Sequence, residues 1–130
     1  MNFYKLLIAA SAVSLLASAA PSFAQTQADQ LKVAYQAARN QLGLLGYCVD
    51  KGHTDGGALE VQKKLMALIP PPADLSGGDA AEAAGRAGKI SAMGMEQDIE
   101  VIAKAQNGTA ASFCKQVGDL VKQMGAKLPQ

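Results

Sequence analysis

The sequence predicts an all-α protein: a small antiparallel, up-down-up-down four-helix bundle closed by one disulfide, Cys48–Cys114. Three observations carry this. The core-forming residues after the N-terminal segment are Leu, Ile, Val, Met and Ala, with no Trp and with Tyr35, Tyr47 and Phe113 as the only aromatics; that mixture favours helix over sheet. Apolar residues recur at helical spacing in four stretches separated by strong turn chemistry. Two cysteines, 66 positions apart, fall at one end of the bundle those stretches would make.

The chain opens as a secretory leader. Met1 to Lys5 carries one positive charge, and Leu6 to Ala20 is an uncharged run of 15 residues. Pro21-Ser22-Phe23-Ala24 then supplies a small-x-small cleavage site. The run is short for a bilayer span, which takes about 18 residues or more. Residues 1–24 are therefore expected to be a cleavable signal peptide and 25–130 a single helical domain. The expected address is the periplasm, or release from the cell, with no membrane insertion after cleavage.

Removing the leader takes away Lys5. The 12 Lys and Arg of the whole chain become 11, against 11 Asp and Glu, so the mature protein is formally neutral. Its charges are mixed along the chain, without the basic stripe a nucleic-acid binder presents. No nucleic-acid partner is expected.

Helix one is expected over about 27–49. Thr26 caps it, and Leu31, Tyr35, Ala38, Leu42, Leu45 and Val49 form its stripe. Gly52-His53-Thr54-Asp55-Gly56-Gly57 ends it. Helix two spans about 58–69 and stops at Pro70-Pro71-Pro72, since proline cannot continue a helix. Helix three is read as one long helix over about 79–106, with Asp79 and Glu82 as a capping box. Its stripe is Ala81, Ala84, Gly88, Ala92, Met95, Ile99 and Ile102, with small residues filling the first half and a bend allowed at Gly94. Asn107-Gly108 is a stop. Thr109 caps helix four, about 109–127, whose stripe is Ala110, Cys114, Val117, Val121, Met124 and Leu128.

The helix order tests the cysteines. Helix one runs up and ends near Cys48; helices two and three return the chain to the same end. Helix four starts there, with Cys114 in its second turn. A bridge over this separation restricts the unfolded chain by roughly 4 kcal/mol.

Catalytic signatures are missing. There is no C-x-x-C for redox exchange, no C-x-x-C-H for haem, no H-E-x-x-H and no G-x-S-x-G. The single histidine, His53, sits between Asp50 and Asp55. This is a weak metal candidate, because zinc takes three or four ligands. Met93-Gly94-Met95 has a spacing that suits copper(I), but on a helix the two side chains would point about 200° apart.

The function expected is therefore that of an exported, non-enzymatic helical module without cofactor. It would act on an unidentified protein partner in the cell envelope, as a stress-related, chaperone-like or immunity-type protein. The expected interaction end is the one bearing the cysteines, with Asp50, His53, Asp55 and Asn107. The alternative is a small-ligand or metal carrier using the loop around His53.

Overall fold

A computed structural model describes residues 26–129. The expected leader and its cleavage site lie outside the described residues. The elements are α1 (Gln27–Asp50), α2 (Gly57–Met66), α3 (Ser76–Arg86), β1 (Lys89–Ala92), β2 (Met95–Asp98), α4 (Ile99–Ala105) and α5 (Ala110–Gly125). The protein is mostly helical, as expected, and carries the Cys48–Cys114 disulfide. The simple four-helix bundle is corrected: the long third helix is replaced by a helix, a two-stranded antiparallel hairpin and a second short helix.

Helix α1 is the central element, and α2, α3, β1 and α5 all pack on it. Thr26 caps it, its hydroxyl oxygen accepting from the Asp29 amide. Its far end is a Schellman stop. Gly52, at φ 71°, lets the Gly52 amide donate to the Val49 carbonyl and the His53 amide to that of Cys48.

Helix α2 runs back along α1, with Ala58 packed on Leu45 and the Gln62 amide group donating to the Ala38 carbonyl. Helix α5 lies beside α2 and points the same way: Gly118 faces Thr54 and Ala58, and Gly125 faces Val61. Thr109 and Ser112 form the capping box that starts α5.

Helix α3 begins at Ser76, earlier than Asp79. The Ser76 amide is held by the Asp74 carboxylate. Asp79 and Glu82 are not a capping box; both reach across to Arg39 of α1, at 2.7 and 2.6 Å. Arg39 is not among the apolar residues of the expected stripe, yet it is mostly covered, with 18% of its side chain exposed. Burial works against its charge. The hydrogen bonds to Tyr35, Glu82 and Asp79 outweigh that and hold its pKa above the ordinary value.

The small-residue half of the expected third helix is ordered because α1 and α3 cross almost backbone to backbone. A Cβ on Gly85 would meet the Asn40 carbonyl oxygen, and one on Gly43 would meet that of Glu82. Large side chains would hold the helices apart.

The helix then ends at Gly88, φ 77°, a left-handed residue that sends the chain backward. β1 and β2 pair with Lys89 opposite Asp98 and Ala92 opposite Met95. Met93 and Gly94 form the two-residue turn, both with positive φ (52° and 78°), the type I′ signature. Buried Asn40 of α1 anchors the hairpin. Its Nδ2 donates to the Ala81 and Lys89 carbonyls, and its Oδ1 accepts from the Ser91 amide.

A hairpin returns to where it began: the Ile99 amide donates to the Gly88 carbonyl at 3.0 Å. The excursion therefore leaves the topology unchanged, and α5 still starts at the end where α1 finishes. Cys48 and Cys114, both fully buried, join there among Leu44 and Ile99, with Tyr47, Ile90 and Phe113 around them. A second cluster, Leu45, Ala58 and Val121, fills the α1–α2–α5 interface.

Candidate functional site

The loop after α1 is committed largely to local structure. The His53 backbone completes the α1 stop. The Asp55 carboxylate accepts from the Gly57 amide at 2.8 Å and from Lys122 Nζ at 2.7 Å. The Lys122 hydrogen bond, then the Gly57 one, hold its pKa below the usual aspartate value. Asp50 is exposed at the last position of α1. Asn107 is a helix stop: at φ 58° its amide donates to the Lys104 carbonyl, and that of Gly108 donates to Ala103. The disulfide brings the elements carrying these residues to one end. Among the described residues, no three of His, Cys, Asp and Glu gather as a group able to hold a metal.

The hairpin offers different chemistry, which the expected helix had hidden. Met93 is 86% exposed and Met95 72%; Met95 had been expected in a packed stripe. Met93 lies in the β-turn and Met95 opens β2, so the helical objection to a shared ligand does not apply. Among the described residues, the lining of the adjacent groove adds no third sulfur and no imidazole. Two thioethers alone do not complete a copper(I) site of three or four donors.

Two open grooves flank the hairpin. One, of about 440 Å³, is lined by Val33 and Ala37 of α1, Ala80 of α3, and Ala92, Met93 and Glu96 of the hairpin. The other, of about 280 Å³, lies toward α5 and includes Leu44, Ile90, Phe113 and Val117. Both reach Ala37, Ser91 and Ala92. The Glu96 carboxylate, on the rim of the first, pairs with Lys89 at 3.3 Å. The apolar lining suits an apolar guest better than an ion.

The turn itself is unusual. Type I′ turns favour Asn or Asp at the first central position, because a larger L-residue there pays for its left-handed backbone. That cost is about 1 kcal/mol or more. Met93 takes the position and leaves a large apolar side chain in solvent.

The sequence does contain a signal for this element. Met93-Gly94 is a two-residue turn between short runs, with Gly88 before them as a helix stop. The apolar spacing through Ala84, Gly88, Ala92 and Met95 matched a helix equally well, because alanine and glycine fit either backbone. Asn40, the hairpin's anchor, gave no comparable signal, since nothing local marks it as buried.

Compared with known proteins, the chain matches no family model, no curated protein and no solved structure. A disulfide is weakly consistent with an exported protein.

Proposed function

We propose that this chain is an exported, non-enzymatic helical protein that works in the cell envelope by protein–protein contact. Its contact element would be the Met93–Met95 hairpin tip, receiving an apolar segment of its partner. The observation carrying this reading is Met93 itself: a left-handed backbone and a large apolar side chain 86% exposed. The left-handed backbone closes the hairpin, but a large apolar side chain there adds nothing to that turn. Unfavourable local conformations persist where the surroundings hold them, and they cluster at sites of recognition. Methionine also adapts its shape to a partner surface.

The expected cysteine-bearing end is the less favoured surface, because Asp55 and the backbones of His53 and Asn107 already serve helix ends. The carrier reading through His53 needs more than rearrangement of one side chain: a metal at Asp55 would compete with both Lys122 and Gly57.

The test is a photo-crosslinking residue placed at position 93 and, separately, at exposed Lys115. The producing cells are illuminated, and any adduct protein is purified and titrated with the mature chain. The reading expects one discrete heterologous adduct from position 93 and none from 115. Its reconstituted binding should weaken at least tenfold in Met93→Asp. Identical adducts from both positions, or undiminished binding by Met93→Asp, would refute it.

A further inference from the structure

We propose that Met93 and Met95 form a reversible methionine-oxidation site, at which peroxide or hypochlorous acid modifies the folded protein without unfolding it. The inference concerns the sulfur chemistry of the chain and stands whether or not the tip contacts a partner.

The fold sorts its sulfur atoms sharply. Cys48 and Cys114 are fully buried and already joined. Met66 is partly covered in the last turn of α2, and Met124 is 37% exposed on α5. Met93 and Met95, at 86% and 72%, stand at the tip of a hairpin. Thioether oxidation follows access, so an oxidant in limiting amount meets these two first.

The chemistry closes without further groups. Each sulfur gives up two electrons and takes one oxygen atom. With hydrogen peroxide, the O–O bond breaks and water leaves; with hypochlorous acid, chloride and a proton leave. A dithiol-dependent reductase reverses the step, the oxygen leaving as water and the dithiol becoming a disulfide. Both sulfoxide epimers form, so complete repair takes both reductase types.

Location makes the change a surface event. Oxidation of a packed methionine disrupts the core around it. The anchoring of this hairpin rests instead on Asn40 and on the strand pairing, neither of which uses a methionine sulfur. A sulfoxide at Met93 would place a strong dipole on the edge of a groove whose apolar lining is Val33, Ala37, Ala80 and Ala92, on a rim where Glu96 is already charged. The apolar tip becomes polar while its backbone stays in place.

The experiment uses the disulfide-intact mature protein and limiting hydrogen peroxide, with oxygen uptake at each methionine followed by peptide mass. Met93 and Met95 should react about twofold or more faster than Met124, in line with their exposures, and should also outpace Met66. Far-UV circular dichroism should be unchanged when both are modified, and the two reductases together should restore the original mass. In urea the methionines should converge on one rate, which shows that the fold creates the preference. A double Met93→Leu, Met95→Leu variant should lose the fast phase. Equal rates in the folded protein, a preference that persists in urea, or loss of helical signal as the tip reacts would each overturn the proposal.

Discussion

Replacing Gly85 by alanine tests the structure against the simplest reading of the sequence. Gly85 lies inside α3, and by helix propensity alone Gly→Ala should stabilise by about 1 kcal/mol. The fold predicts the opposite sign. A Cβ there would stand 2.6 Å from the Leu44 amide nitrogen, and closer still to the Asn40 carbonyl oxygen. Ordinary contact begins at 3.4 Å, so α1 and α3 would have to separate by about 0.8 Å along the Leu44 direction alone. Both obstacles are backbone and have no alternative rotamer. Overpacking costs about 1–3 kcal/mol, and the absence of a yielding side chain puts this site near about 3. Setting the propensity gain against that leaves a net loss of about 2 kcal/mol, or roughly 10 °C in Tm. Gly46→Ala in α1 is the matched control: its Cβ would meet only the Arg86 guanidinium, at an ordinary 3.7 Å. That variant should be neutral or gain up to about 1 kcal/mol. Urea unfolding at neutral pH, followed by far-UV circular dichroism, reads both. If Gly85→Ala is as stable as the parent, the close crossing of α1 and α3 is wrong.

Further outcomes follow from other contacts. Asn40→Ala strips partners from two carbonyls and one amide, so it should cost about 3 kcal/mol. Hydrogen exchange at the Ser91 amide should rise more than at amides in α5, and equal protection at Ser91 would refute the anchoring role. Replacing both cysteines by alanine should lower stability by about 4 kcal/mol from loop entropy over the 66-residue separation, and a loss under about 1 kcal/mol would contradict that account. Acid should weaken the fold. Asp55, Glu60 and Asp74 are held below their ordinary values of 3.8, 4.5 and 3.8 by hydrogen bonds from Lys122, Lys63 and Ser76 respectively. Since the unfolded chain takes up protons first, this stabilisation is complete above those ordinary values and is lost as pH falls through the lower folded ones. The denaturation midpoint should therefore drop between about pH 6 and pH 3. Asp55→Asn should flatten part of the drop, and a midpoint independent of pH would count against these pairings.

Much of the architecture was legible in the sequence. Thr26 and Thr109 announced the starts of α1 and α5, because a hydroxyl before an apolar periodic run has one economical use. Gly52 and Asn107 announced helix ends for a comparable local reason: both sit in the left-handed region. These signals are legible because cap and stop belong to a few adjacent residues. The third helix failed as an expectation because its evidence was periodicity alone, carried by alanine and glycine, which pack acceptably in either backbone.

The candidate site was less legible. Met93 and Met95 were visible as a pair, yet their exposure depended on a turn whose anchor, Asn40, lies 51 positions before the Ser91 amide that it holds. Arg39 shows the same limit. Its charge says nothing about burial, while Asp79 and Glu82, some 40 residues later, pair with it across the α1–α3 contact.

The sequence by itself determined the helical class, the caps at Thr26 and Thr109, the stops at Gly52 and Asn107, and the meeting of Cys48 with Cys114. That last inference survived the loss of the long helix for a geometric reason. A hairpin begins and ends in one place, so inserting it changes no direction of travel. Tertiary structure alone decided that the small residues of α3 serve a close helix crossing, and that a methionine-tipped hairpin stands over α1. Both depend on which distant backbone lies opposite, and no local pattern of side chains records that.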